Sequence, residues 1–207
     1  MRISADGFVA GPQGEIDWLL KTMDEEAIAW LEDTLWQAGV HIMGSRTFQD
    51  MKNYWPTATN PLARPMNEIP KVVFSKQEPN ELSAVTQTTQ ALKDAIRSDA
   101  EHGIKPLATQ DLAGWMNVPV ARGDLATEIQ TLKSQEGKFI LAHGGARFAQ
   151  SLVAAGVVDE YRLLVHPVIL GKGLPLFSTA TAPVFLRLEN SHTLKSGVIA
   201  NTYVPVN

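Results

Sequence analysis

The residues best suited to chemistry lie in the stretch 138–177, KFILAHGGARFAQSLVAAGVVDEYRLLVHPVILGKGLPLF. Phe139-Ile140-Leu141-Ala142 reads as a strand buried on both faces, and residues 146–155 read as a helix. Between them Gly144-Gly145 carries no side chain that could obstruct a ligand. A helix that starts behind two glycines offers free backbone N–H groups and the positive end of its dipole. No acidic residue occupies the first turn, where Ala146 is followed by Arg147. That chemistry is anion binding, most simply of a phosphate.

Two other stretches repeat the pattern. Val40-His41-Ile42-Met43 reads as a strand that passes through Gly44-Ser45-Arg46-Thr47 into a short helix, again with a cation and hydroxyls in the first turn. Lys71-Val72-Val73-Phe74 reads as a buried strand ending in Ser75 and Lys76. One such junction is weak evidence, because glycine and serine also begin helices for purely structural reasons. Three of them, each at the carboxyl end of a strand, fall where open α/β sheets bind ligands.

The elements that must position these residues follow from periodicity. Residues 3–5 read as the end of a first strand cut short by the start of the chain, and residues 6–14 as a loop rich in glycine, with the choice open between a plain connection and a lid. Thr22-Met23-Asp24-Glu25 has the form of a capping box, Ile28, Leu31 and Leu35 mark a helical face, and Gly39 stands as its stop. Residues 88–102 suit a polar helix with Leu92, Ala95 and Ile96 as a narrow stripe and Gly103 as its stop, lying on the surface. Gly123-Asp124 leads into a helix with Leu125, Ile129 and Leu132 buried, and residues 184–189 and 198–204 form antiparallel strands at the C-terminal end. The resulting fold class is α/β: a mixed, mostly parallel sheet with an antiparallel C-terminal edge and helices on both faces.

Bulk properties narrow the functional classes. With 207 residues, 44% hydrophobic and 19% charged, the chain suits one domain, taken as 1–207 with residues 79–112 as an insertion. A net charge of −4 gives no support to nucleic-acid or membrane-surface binding. The absence of cysteine excludes disulfides and thiolate catalysis and fits a cytoplasmic location. No apolar run approaches the ~20 residues that cross a bilayer. The G-x-G-x-x-G, Walker A and G-x-S-x-G motifs are absent, and the five histidines have no close metal-site spacing, so no metal is expected. His143 stands out because it abuts the double glycine, whereas His166, before Pro167, reads as structural.

In order, DGFVAGPQGEIDW, MGSRTF, YW, KVVFS, HGGARFAQSL and VDEYRLLVHPVILGKGLPLF resemble the dihydrofolate reductase-like superfamily. The branch they resemble is that of stand-alone relatives of the reductase domain in the bifunctional riboflavin-biosynthesis deaminase/reductase. The resemblance implies a cytoplasmic, homodimeric reductase that uses NADPH and acts on a small pterin-like or ribosylamino-pyrimidine substrate, as a 5-amino-6-(5-phosphoribosylamino)uracil reductase does. It assigns Gly44, Arg46, Thr47, Gly144, Gly145, Ala146 and Arg147 to the cofactor's phosphates, and Ser75 and Lys76 to the adenosine ribose and its 2′-phosphate. It places Asp6, Asp17 and Trp18 on the nicotinamide and catalytic side, and Glu160 at a substrate hydroxyl. Each has a plain alternative: Asp6 as a turn former, Trp18 as core. Dihydrofolate reductases carry a carboxylate a little over a turn beyond the tryptophan, where this chain has Met23 with Asp24 beside it, which argues against that activity itself. The missing carboxylate also leaves a second reading, a non-catalytic nucleotide-binding or regulatory module on the same fold, and a third, an interaction protein built around the insertion.

Overall fold

The computed structural model describes residues 1–76, 88–109, 112–180 and 182–206. Strand β1 (Arg2–Ser4) pairs in parallel with β7 (Tyr161–His166), which is followed across the sheet by β10 (Ile199–Pro205) and β9 (Leu186–Thr193), both antiparallel to their neighbours. A second sheet of four parallel strands has the order β5 (Val120–Ala121), β4 (Lys71–Phe74), β3 (Ala38–Gly44), β6 (Phe139–Ala142). A short antiparallel pair, β2 (Phe8–Ala10) with β8 (Leu174–Pro175), closes over one end. The expected parallel centre and antiparallel C-terminal edge are both present.

Helices cover both faces. Helices α2 (Glu25–Trp36), α3 (Ser45–Tyr54) and α4 (Ala63–Glu68) lie on one face, and α6 (Leu125–Lys133) and α7 (Ala146–Ala154) on the other. On the first face Leu35, Phe48 and Met66 pack on Met43, Val73 and Trp115, and Ala27 packs on Leu164, Leu194 and Val198. On the second, Ile129 and Leu152 pack on Ile42, and Ala149 packs on Ile3 and Leu163. Strand alternation explains the division, since Ile42 and Met43 are neighbours that must point to opposite faces. Helices α2 and α7 each reach both sheets, so they hold the sheets side by side. Burying one such side chain contributes about 1.5–3 kcal/mol.

Local signals were legible with some displacement. Helix α2 is capped by Asp24, whose carboxylate accepts from Ala27 N–H at 2.8 Å, so the N-cap lies two residues beyond the Thr22 of the expected capping box. Thr22 ends the preceding short helix α1 (Asp17–Lys21) instead. Helix α2 stops at Trp36, before Gly39; that glycine sits inside β3, where an added Cβ would lie 3.2 Å from the Lys138 side chain. The glycine therefore allows β3 and β6 to approach, and the strand pairing is irregular there. Strand β6 is an edge, so Phe139 is half exposed under the Arg162 guanidinium rather than buried on both faces.

Helix α5 (Gln90–Glu101) appears where a polar helix was expected, with Thr89 as its N-cap and Gly103 just past its end at φ +69°. Its buried residues are Leu92 and Asp94, whereas Ile96 is 52% exposed. The helix lies at the surface, as expected, and packs on α1 and α3. The remainder of the 79–112 segment includes positions 79–87, 110 and 111, which lie outside the described residues.

Asp24 does more than cap: its second oxygen accepts from Ser196 N–H at 2.8 Å, tying α2 to the β9–β10 turn. Asp24→Ala is therefore expected to lower stability, since it removes the α2 N-cap and the tie to the turn together. Thermal unfolding would register this as a drop of about 2–8 °C. An unchanged midpoint would show that water replaces both bonds.

Candidate functional site

Strands β3 and β6 are parallel neighbours, yet the helices that follow them leave to opposite faces: α3 toward Met43 and Val73, α7 toward Ile42. This divergence opens a crevice beyond the carboxyl ends of the two strands, the place where open α/β sheets hold ligands. Gly44 and Gly145 are the N-caps of α3 and α7, and neither helix start has a side-chain cap or an acidic residue in its first turn. The contrast within the molecule is informative, because α2, α5 and α6 are capped by Asp24, Thr89 and Asp124. The two helix starts at the crevice thus keep their N–H groups and positive dipole ends available for an anion.

The two junctions touch. Gly145 has φ +100°, and a Cβ built on it would lie 2.5 Å from the Thr47 hydroxyl. At Gly44 an added Cβ would meet Phe148 at 3.4 Å. Any larger residue at position 145 would be strained in its backbone and would fill the space between the helix starts. Arg46 and Arg147 are exposed in the first turns of α3 and α7, and Ala146 opens α7. The structure thus brings together Gly44, Arg46, Thr47, Gly144, Gly145, Ala146 and Arg147. Ser75 and Lys76 lie at the same end, past β4, where Ser75 N–H donates to Ala121 O. Lys76 Nζ donates to the carbonyls of Arg122 and Gly123 at 3.2 and 2.7 Å, so this lysine also secures the end of β5 and brings Arg122 alongside. Arg122 was not singled out by sequence, since the brief strand before it has almost no periodic signal.

The residues assigned to catalysis are placed unequally. Asp6 Oδ1 accepts from the Ser4 hydroxyl at 2.6 Å, and Oδ2 accepts from Leu170 and Gly171 N–H at 3.1 and 2.8 Å. The Ser4 hydroxyl, followed by these backbone donors, holds the Asp6 carboxyl below its usual range. Asp6 therefore remains an anion and pins the loop after β1 to the turn before β8. Asp17 is ion-paired with Lys21 at 3.1 Å on the surface of α1. Trp18 is buried; its ring meets His166 edge-on at 5.6 Å and its Nε1–H donates to Glu15 O at 3.2 Å. Glu160 precedes β7, whose other end carries His166, and β7 runs parallel to β1. It is therefore at the opposite end of the sheet from Asp6, paired with Arg162, and does not join the other assigned residues.

Beneath the crevice lies a polar seam that sequence only hinted at. His41, on the α3 face beside Lys71, meets His143 edge-on at 4.4 Å between ring centres. Among the described residues Nε2 of His143 and of His166 is buried without a hydrogen-bond partner, and the His41 ring is buried beside His143. His166 Nδ1 lies 2.6 Å from the Thr22 hydroxyl, which also reaches the carbonyls of Trp18 and Leu19. If that hydroxyl gives its proton to one of these carbonyls, it accepts from Nδ1–H, and Nε2 is left as a bare acceptor. Burial, helped by Lys71, pushes the His41 pKa down to about 3; burial, helped by Arg2, pushes His166 down to about 4. Burial and then His41 drive His143 the same way. All three are neutral imidazoles near pH 7, able to hydrogen-bond but poor proton donors. Lys71, packed over Trp115, is likewise lowered by burial, to about 8.

Among the described residues no cluster of histidine and carboxylates could hold a metal, and no helix is long and apolar enough to cross a membrane.

The model of the RibD C-terminal domain matches residues 1–200. The chain is 29% identical over 203 residues to the uncharacterized protein YyaP of Bacillus subtilis (strain 168), covering 98% of this chain and 91% of that one. In structure it is similar to a diaminohydroxyphosphoribosylaminopyrimidine deaminase/5-amino-6-(5-phosphoribosylamino)uracil reductase from Thermotoga maritima, with TM-score 0.62 and 14% identity, covering 100% of this chain and 55% of the other. It is also similar to a dihydrofolate reductase from Enterococcus faecalis complexed with NADP(H), with TM-score 0.56 and 12% identity, covering 100% and 94%. At these identities the structural likenesses establish the dihydrofolate reductase-like fold.

The histidines give a pH prediction. The folded pKa of His166 is below its unfolded value of about 6.5, so at acid pH the unfolded chain binds a proton that the fold refuses. Stability is full above pH ~6.5 and falls as pH drops toward about 4, the folded value. His166→Gln removes this proton, and unfolding free energies measured from pH 7 to 4.5 should lose up to ~1.4 kcal/mol of slope per pH unit. An unaltered slope would mean that His166 does not titrate differently on unfolding.

Proposed function

The chain belongs to the RibD C-terminal domain family, and on that footing we propose that it is a reductase that uses NADPH to reduce a small pterin-like or ribosylamino-pyrimidine substrate. The observation that carries the reading is the pair of uncapped helix starts meeting at the divergence of β3 and β6. The residues there suit a dinucleotide. Gly144, Gly145, Ala146 and Arg147, with Gly44, Arg46 and Thr47 opposite, would hold the pyrophosphate. Ser75 and Lys76, beside Arg122, would hold the adenosine ribose and a 2′-phosphate, which the local cations favour over a free hydroxyl. The bound cofactor would supply hydride.

The chain's own part is to bind, orient and exclude water, which can provide much of the rate of such a transfer. Asp6 fixes the loop over the reacting end through its bonds to Leu170 and Gly171. Trp18 forms an apolar wall beside His166. Met23, at the place where a dihydrofolate reductase keeps its carboxylate, packs with Ala27 and Leu164, which supports a substrate other than dihydrofolate.

A specific observation also favours a second reading, a nucleotide-binding or regulatory module without catalysis. Asp6 is fully engaged, Asp17 is paired at the surface, and His41, His143 and His166 are neutral, so none of these groups is poised as a proton donor at neutral pH. Turnover of NADPH with a pterin or pyrimidine separates the two. The reading also includes a cytoplasmic location and a homodimer; support for the dimer is the edge strand β9, exposed from Arg187 onward with Leu188 open on it and Phe185 just before it.

Titration with NADPH should quench tryptophan fluorescence with saturation in the micromolar range, and Gly145→Trp should abolish binding while the far-ultraviolet spectrum stays folded. Absence of any binding at high micromolar NADPH would sink the proposal. Sedimentation should give a dimer that Leu188→Glu converts to monomer; a wild-type monomer would remove the dimer from the reading.

A further inference from the structure

Helix α5 belongs to the segment that reads from sequence as an insertion, yet it carries the buried carboxylate of Asp94, 1% exposed. Asp94 Oδ1 accepts from Arg97 Nη2 at 2.6 Å and Gln90 Nε2 at 2.9 Å, both on its own helix. Oδ2 accepts from the backbone N–H of Ile16 at 2.9 Å, a residue 78 positions away. Ile16 is the N-cap of α1, a helix start that has no side-chain cap of its own. A buried carboxylate is retained only where its lone pairs find donors. Here the local donors orient one oxygen and leave the other for the distant loop.

That one bond acts on a peptide unit with further duties. The Ile16 N–H shares its peptide with Glu15 C=O, and this carbonyl accepts from Gly11 N–H at 2.9 Å and from the Trp18 indole N–H at 3.2 Å. Its plane is therefore held from both sides: by Asp94 through the N–H, and by the loop start and the indole through the oxygen. Trp18 in turn packs edge-on against His166, and Thr22 at the end of α1 contacts the same imidazole. Two more ties fix α5 itself to α3: Thr89 Oγ1 donates to Asp50 at 2.9 Å, and Tyr54 OH donates to Asp99 at 2.7 Å. Helix α5 thus links α3, which opens at the phosphate crevice, to the loop that delivers Trp18.

The geometry points to Asp94 as a positioning residue: through the Glu15–Ile16 peptide it sets the place of Trp18 against His166, and α5 is the strap that joins the phosphate end of the site to its reacting end. The assignment of those two ends rests on the reading of the crevice as an NADPH site. The link from Asp94 to Trp18 does not.

The test uses the full chain labelled with 5-fluorotryptophan, the Trp18 resonance being assigned by its disappearance in Trp18→Phe. In Asp94→Ala that resonance should shift and broaden, with the far-ultraviolet spectrum unchanged. In Arg97→Ala, which keeps the carboxylate on Ile16, it should stay in place; Asp94→Asn, which keeps an acceptor oxygen, should restore most of the wild-type position if Asp94→Ala folds poorly. An unmoved Trp18 signal in folded Asp94→Ala overturns the inference. A second arm measures affinities: Asp94→Ala should weaken NADPH about 3–10-fold while leaving 2′,5′-ADP, which occupies the adenosine end alone, within twofold. Equal weakening of both probes would mean general loosening and overturns the positioning role. Wild-type protein that binds neither probe refutes the NADPH reading and the two-ended role of the strap, and the fluorine spectra then judge the Asp94–Trp18 link alone.

Discussion

The constraint on which the site depends is the close meeting of two helix starts at Gly145 and Thr47. Although β3 and β6 are adjacent and parallel, α3 and α7 leave to opposite faces of the sheet, as at a topological switch point. The backbone can bring their N-termini into contact only because position 145 has no side chain and adopts φ +100°. The consequence is electrostatic. Two helix starts without side-chain caps, with their two positive dipole ends, converge on one crevice, in contrast to the Asp or Thr caps on the other long helices among the described residues.

Around that point the interior is more polar than a sheet-and-helix core requires. His41, His143 and His166 are held neutral by burial, and among the described residues Nε2 of His143 and of His166 has no partner. Unpaired buried groups of this kind cost about 1–3 kcal/mol each. The fold keeps neutral imidazoles at His41 and His143, just below the two helix starts, and at His166 beside Trp18, at the expense of stability in acid. Asp6 shows the opposite treatment: the Ser4 hydroxyl and the Leu170 and Gly171 N–H groups all donate to it, which makes it a fixed brace between two loops.

Much of this was legible in the residues. The strand–glycine–helix junctions at Gly44 and Gly144-Gly145 carry local signals, because what matters there is the absence of side chains and of acidic residues, and both absences can be read directly. The parallel middle and antiparallel end followed from alternating and continuous apolar runs. Other features were displaced because competing local signals were close together: Thr22 and Asp24 both suit an N-cap, and only the packing of α1 decided for Asp24. Glu160 looked available for a substrate hydroxyl in one dimension; the direction of β7 carries it to the far end of the sheet.

The α/β class, the strand–glycine–helix junctions and the resemblance to a family can all be read from the residues alone, since each depends on residues within one turn or one strand of each other. Packing in three dimensions settles which junctions share a crevice, that Glu160 stands apart, and that Asp94 reaches Ile16 across 78 residues. Asp94 sits in a polar helix beside Arg97, a pattern that by spacing alone reads as an ordinary surface ion pair. Its burial, and hence its importance, arises from how α5 docks on α1 and α3, and that docking is a property of the packed chain that no local window contains.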